Sequence, residues 1–273
     1  MGKDKLAVYL FCFAEAKLLP DVRRIEIEPI ESDSHLSVLT FGNVAAVHSL
    51  VPLEDFTGPE AEARLGDLEW IGPRAIFHEM VIEEIAKFSP VYPARFGTIY
   101  LSEANLETFM AAHSDTLSRF FEYAADKREW AVKGYMDSQK SIDRLREKIV
   151  RESKDLPRSP GARYLAEKRL RGSISDRLQE WLAEILTNAN RILVPAAVEF
   201  RERKILPETG AERPGEMVSN WAFLIPKKGE SKFENKLETL NKEYEQEGIT
   251  FQLSGPWPPF SFIPPLEDLG PIL

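Results

Sequence analysis

A histidine followed directly by a glutamate in a helical stretch, His78-Glu79, is the opening of a pattern that holds zinc on one helix face. The second histidine, one turn further on, is missing: Ile82 stands in its place. The bland reading is an exposed helix surface with Glu79, Glu83 and Glu84 solvated. His35, His48 and His113 lie far apart, in strand and helix contexts, with no carboxylate at a ligand spacing. No glycine-rich phosphate loop and no G-x-S-x-G elbow occurs. Cys12, the only cysteine, sits in the apolar run Leu6 to Phe13 with no adjacent base. These residues supply no nucleophile, phosphate cradle or metal cage, so no catalytic residue, metal or cofactor is expected.

Residues suited to binding are easier to find. Between Lys140 and Arg177 twelve Lys/Arg face six Asp/Glu, a local charge of +6 that leaves −15 for the remainder. That stretch, with Lys168, Arg169 and Arg171 at its densest part, reads either as a solvated helix laced by internal ion pairs or as a docking surface for an acidic partner. Arg95 and Phe96 lie in Pro93-Ala-Arg-Phe-Gly-Thr98, where the guanidinium can pair within the fold or face a partner. Ser254 to Pro265 holds five prolines and three aromatics in twelve residues, which excludes a helix and a central strand. Its restricted φ lowers the entropy cost of fixing it, and Trp257, Phe260 and Phe262 offer large apolar area. Such a tail suits a partner groove, or a strap across its own C-terminal domain.

The elements that must position these residues follow from composition and periodicity. A chain of 273 residues with 43% hydrophobic residues can fill two cores, and a net charge of −9 disfavours nucleic acid and anionic lipid as partners. About eight strongly apolar residues follow Lys5 and no 18-residue apolar span occurs elsewhere, so neither secretion nor a membrane span is expected. Leu6 to Phe13 reads as a strand buried on both faces. His35 to Val51 reads as a hairpin around Gly42-Asn43. A helix entering at Pro73 is expected to turn Ile76, Met80, Val81, Ile85 and Phe88 inward. Val91 to Tyr100, interrupted by Pro93 and Gly97, suits an edge or bulged strand. Ser102 caps a long helix with Leu106, Phe109, Met110, His113, Leu117, Phe120, Phe121 and Ala124 at helical spacing.

Lys127 to Met136 opens a second unit, which places the boundary near residue 126. The expected domains are thus 1–126 and 127–273. A helical region from Ser138 to Ala189, broken at Leu156 to Gly161, is followed by strands at Ile192 to Phe200 and Met217 to Ile225, joined by a Gly/Pro/Glu-rich connection from Pro207 to Gly215. Ser231 and Glu234 form a capping box, Gly248 ends that helix, and Ile249, Phe251 and Leu253 alternate as a last strand. The order β-α-β-β-α-β matches a ferredoxin-like arrangement. The fold class expected is α+β, with two modified ferredoxin-like domains, the second carrying a long helical insertion and a proline-rich C-terminal tail.

Four blocks, Pro93-Ala-Arg-Phe-Gly-Thr98, Glu129-Trp-Ala-Val-Lys133, Ser159-Pro-Gly-Ala-Arg-Tyr-Leu165 and Ser254-Gly-Pro-Trp-Pro-Pro-Phe-Ser-Phe262, occur in an order that resembles the GvpL/GvpF family of gas vesicle proteins. The resemblance spans both expected domains. It implies an accessory or minor structural protein of gas-filled protein shells, without enzyme activity or cofactor, at the vesicle or in the cytoplasm. It further implies contact with the small hydrophobic shell-forming protein, whose aggregation it would prevent during nucleation, and with other accessory proteins. Arg95, Phe96, Lys168, Arg169, Arg171, Trp257 and Phe260 are the residues expected to contribute to such contacts. The alternative from another class is an RNA-binding regulator or an enzyme on ferredoxin-like domains, although Lys127 to Met136 lacks the aromatic pattern that reads RNA.

Overall fold

The apolar run at the start of the chain forms strand β1, Leu6–Glu15, buried from Ala7 to Ala14. The structure is a computed structural model that describes residues 5–20, 22, 35–152, 160–205 and 215–266. Strand β1 pairs antiparallel with β3, Val44–Pro52, which pairs with β2, Ser37–Phe41, across a turn in which Gly42 takes a φ of 58°. The opposite edge of β1 is paired in two pieces. Strand β4, Val91–Pro93, meets Cys12 to Ala14, and β5, Ile99–Tyr100, meets Val8 and Tyr9.

Between those two pieces the β1–β3 register slips by one residue, at Phe11. A bulge of this kind reverses the inward and outward alternation that a strand otherwise keeps. Val8, Leu10 and Phe13 therefore face one core, while Tyr9, Phe11, Cys12 and Ala14 face the other. Helix α3, Glu103–Ala124, fills the first core with Leu106, Met110, Leu117, Phe120 and Phe121. Each such side chain contributes roughly 1.5–3 kcal/mol by burial. Its start is set by Ser102, whose hydroxyl accepts from the Asn105 amide at 3.2 Å. Helix α2, Leu68–Ala86, covers the second core with Val81, Ile82 and Ile85. A short helix α1, Pro59–Leu65, precedes it.

The second unit is built on β6, Lys127–Met136. Helices α4, Ser138–Glu152, and α5, Pro160–Leu193, lead to β7, Glu199–Glu202, and β8, Glu216–Pro226; α6, Glu230–Tyr244, leads to β9, Ile249–Trp257. The sheet runs β7-β8-β6-β9 and shares one core with Leu145 and Ile149 of α4, Trp181, Ile185 and Leu193 of α5, and Phe233, Leu237 and Leu240 of α6. The free edge of β9 is covered by Asn241: its side-chain amide accepts from the Phe251 N–H at 2.7 Å and donates to the Phe251 carbonyl at 2.8 Å. Such pairing occupies backbone groups that an open edge would offer to another chain.

Several expectations change. Helix α2 begins before Pro73, at an Asp67 cap that accepts from the Glu69 amide, and leaves Ile76, Met80 and Phe88 exposed. The inward face is set by Val81, Ile82 and Ile85, and Ile76 and Met80 lie on the far side of it. Helix α5 runs through Ile192 because Ile185, Ala189 and Leu193 keep one buried stripe, so the following strand starts only at Glu199. Helix α6 begins at Gly229 with no side-chain cap, and Ser231 lies inside it. Gly248, with a φ of 84°, closes the short turn after that helix. The Pro207–Gly215 connection lies, except for Gly215, outside the described residues.

The two units divide between Arg128 and Glu129, and the chain returns to the first unit from Trp257. The tail is thus a strap on the N-terminal unit, not on the C-terminal one. Phe260 packs against the α2-side core and Ile263 and Leu266 against the α3-side core. The Tyr92 hydroxyl of β4 donates to the Pro264 carbonyl at 2.7 Å and ties the strap to that strand.

Candidate functional site

The loop between β4 and β5 is where the sequence motif Pro93–Thr98 folds. Its ends are tied to β1 on either side of the bulge: the Ala94 amide donates to the Phe11 carbonyl at 2.9 Å, and the Leu10 amide to the Thr98 carbonyl at 3.0 Å. Between them the Thr98 amide donates to the Arg95 carbonyl at 3.1 Å and closes a four-residue turn. Its third residue is Gly97, with a φ of 80°, the left-handed conformation that favours glycine at that turn position. The Thr98 hydroxyl adds a second bond to the Arg95 carbonyl at 2.7 Å.

The turn is held from below by a chain of buried groups. The Gly97 amide donates to the Tyr9 hydroxyl at 3.2 Å, which donates to Nδ1 of His78 at 2.9 Å. Nε2 of His78 lies 3.1 Å from the Ala94 carbonyl. A carbonyl can only accept, so the proton is on Nε2 and Nδ1 is free to accept from tyrosine. Burial pulls the His78 pKa down to about 4, against the smaller opposing effect of the Ala94 carbonyl, and pushes the Tyr9 phenol up. Both are neutral at pH 7 and both are committed to positioning the turn. Phe96 is inserted beside them, its ring 5.8 Å from His78 and 6.1 Å from Tyr9.

Arg95 opens this turn and is exposed to solvent, with no ion-pair partner among the described residues. Beside it opens a cleft of about 500 Å³ within the first unit. Leu10, Phe13 and Phe109 line it from the sheet and α3, Asn105 and Thr108 from the first turns of α3, and the 263–266 stretch of the strap from the opposite side. This arrangement can bind and orient an amphipathic group. It offers no acid–base pair, and among the described residues no cluster of ligands could hold a metal ion.

Of the residues singled out from sequence, Arg95 is displayed by the turn, whereas Phe96 and Phe260 each pack against the α2-side core. Trp257, at the end of β9, is 37% exposed. Lys168, Arg169 and Arg171 lie in α5, but their side chains are outside the described residues. In the described part of the basic stretch three arginines pair along α4: Arg144 and Arg151 with Glu147 at 3.0 and 3.3 Å, and Arg146 with Asp143 at 3.3 Å. Tyr9 and His78 were not foreseen as a pair. Their 69-residue separation leaves no local signal, and His78, read as part of an exposed helix surface, is 4% exposed. The apolar outer face of α2 was likewise missed, since Ile76 and Met80 fit the helical spacing of a buried stripe.

A family model described as gas vesicle synthesis protein GvpL/GvpF matches residues 7–264. Gas vesicle protein L of Streptomyces sp. (strain CB03234) is 24% identical over 225 residues, covering 82% of each chain. Gas vesicle protein F of Dolichospermum flosaquae is 25% identical over 203 residues, which is 72% of this chain and 80% of the relative. The crystal structure of the gas vesicle protein GvpF from Anabaena sp. PCC7120 superposes with a TM-score of 0.68 at 19% identity, over 96% of this chain and 98% of that one. The last similarity shows a shared α+β fold.

Proposed function

The chain belongs to the GvpL/GvpF family of gas vesicle synthesis proteins, and on that premise we propose that it serves vesicle formation by binding the small apolar shell-forming protein and holding it from aggregation during nucleation. The observation that carries the binding is the outer face of α2. Leu68, Ile76 and Met80 are 83%, 62% and 48% exposed there, beside Gly72, whose Cα has open space around it. An apolar stripe on an otherwise charged chain suits a partner that must itself keep apolar surface from water until it is built into a shell.

Arg95 and Trp257 add solvent-facing contacts, with Phe96 and Phe260 anchoring the segments that carry them, and the basic stretch around Lys168, Arg169 and Arg171 adds a face for acidic regions of other accessory proteins. The work is assembly, not catalysis, at the vesicle and in the cytoplasm. No described helix is long and apolar enough to cross a membrane. Strand order supports reading the units as two modified ferredoxin-like domains. In each sheet the first strand lies between the third and the fourth, if β4 and β5 count as one, and α4 with α5 form the enlarged crossover of the second.

The test is turbidity of the purified shell protein on dilution from denaturant, with and without equimolar chain. The wild type delays aggregation, and an Ile76→Ser/Met80→Ser variant that unfolds at the same urea concentration loses most of that effect. Identical turbidity with and without the wild type would sink the proposal.

A further inference from the structure

We propose that the cleft beside Arg95 is a docking site for a peptide segment of a partner protein that presents a bulky apolar side chain next to a carboxylate. The inference rests on the reading above that the chain works by binding other proteins. Three observations carry it. Arg95 is the only charged side chain among the described residues that line the cleft, in a chain whose net charge is −9. Leu10, Phe13, Phe109 and Ile263 give the lining an apolar part, and Asn105 and Thr108 add polar groups beside it. The volume, about 500 Å³, is several times the ~150 Å³ that encloses a benzene-sized group, so one or two large side chains fit.

Both rims are built before a partner arrives. The turn that carries Arg95 is held by the Gly97–Tyr9–His78–Ala94 bonds, and the strap opposite is held by the Tyr92 bond to the Pro264 carbonyl. A preformed site avoids the cost of ordering two loops on binding. The guanidinium stands at the exposed mouth and the apolar walls lie deeper. A ligand therefore enters apolar end first and meets the cation with a carboxylate at the surface, where Arg offers a two-pronged match. The cleft is open to solvent, so a free amphiphile would leave much of its length in water, whereas a segment carried on a folded partner closes the mouth.

The probe is a fluorescein-labelled, end-blocked octapeptide with a Leu-Leu-Glu centre in a Gly/Ser frame, followed by anisotropy with the full chain. Control peptides carry Leu-Leu-Gln or Ser-Ser-Glu. Arg95→Gln removes the charge, and Thr108→Trp fills the cleft from an exposed helix position; unchanged urea denaturation shows both folded. The Leu-Leu-Glu peptide binds the wild type about tenfold more tightly than the Leu-Leu-Gln peptide, and that preference falls below about twofold in Arg95→Gln. Thr108→Trp weakens binding by about tenfold or more, and Ser-Ser-Glu fails to bind. Several results overturn the proposal: equal binding to Thr108→Trp, no preference for the acidic peptide, or binding of decanoate but of no peptide. Binding that appears only after removal of residues 267–273 assigns the cleft to the chain's own C-terminus and equally overturns it. Wild-type chain that holds back the shell protein but binds no peptide sinks the docking site alone. Peptide binding in the stated pattern without any effect on the shell protein sinks the vesicle reading and leaves the docking site standing.

Discussion

The hydroxyl of Tyr9 donates to Nδ1 of His78 across 2.9 Å, joining the middle of β1 to the middle of α2 and setting the floor of the Arg95 turn above them. That bond supports the turn from below, beside the backbone bonds that tie the ends of the turn to β1.

Tyr9→Phe keeps the ring and removes the oxygen. The Gly97 amide and His78 Nδ1 then lose their partner in a buried setting, which costs about 1–3 kcal/mol in unfolding free energy. Urea denaturation measures the loss, and amide exchange at Gly97 should speed up more than exchange within α3. Equal protection of Gly97 in both proteins would mean that the turn does not depend on Tyr9.

The depressed pKa of His78 has a definite sign. In the unfolded chain the imidazole titrates near 6.5 and in the fold near 4, so it is neutral in both states above 6.5 and stability is there in full. As pH falls from 6.5 toward 4 the unfolded chain takes up a proton that the fold refuses, and up to about 3 kcal/mol is lost. His48, also lowered by burial, works in the same direction. Comparing unfolding free energies at pH 7 and pH 4.5 for wild type and His78→Gln cancels most of the carboxylate contribution. The wild type should show the steeper fall, and parallel slopes would contradict the assignment.

Gly97 and Gly248 have nearly the same backbone, with φ of 80° and 84°, but different surroundings. A Cβ on Gly97 meets nothing within 4 Å, whereas one on Gly248 would lie 3.0 Å from the Ser141 amide nitrogen and 3.1 Å from the Asp137 carbonyl. Gly97→Ala should therefore cost only the left-handed penalty of about 1–2 kcal/mol, and Gly248→Ala clearly more. Midpoints of urea denaturation rank the two, and the reverse ranking would refute the steric argument.

Glu129, fully buried, pairs with Arg203, which is partly exposed, next to the strand β7 edge. Glu129→Ala removes this pair and should cost about 3 kcal/mol, less than a fully buried pair because Arg203 reaches water. Glu129→Gln keeps the shape and one acceptor and should recover part of the loss. Thermal denaturation of the two variants checks the order.

Arg95→Gln and Phe96→Ala separate display from anchorage. An exposed side chain with no partner in the described fold should change stability by less than about 0.5 kcal/mol when replaced. Loss of the half-buried Phe96 ring, which touches Tyr9 and His78, should cost about 2 kcal/mol. Denaturation of both variants decides; an equal cost would place Arg95 in the packing.

Features whose causes are local were legible in the residues alone. Eight consecutive apolar residues needed cover on both sides and became β1, the Ser102 hydroxyl satisfied the Asn105 amide in the first turn of α3, and Gly248 took the left-handed turn that other residues resist. Four short blocks in order also carried the family, because they report ancestry without a fold being solved. Which groups those elements bring together was settled by packing between distant parts of the chain. The bulge at Phe11 switches the faces of β1, and it arises where the partner edge is interrupted by the Arg95 turn. His78 is a buried acceptor rather than a surface residue because its donor comes from Tyr9, 69 positions away. The aromatic-proline tail straps the first unit because Phe260, Ile263 and Leu266 find its two cores there, a matter of where apolar surface remains open after everything else has packed.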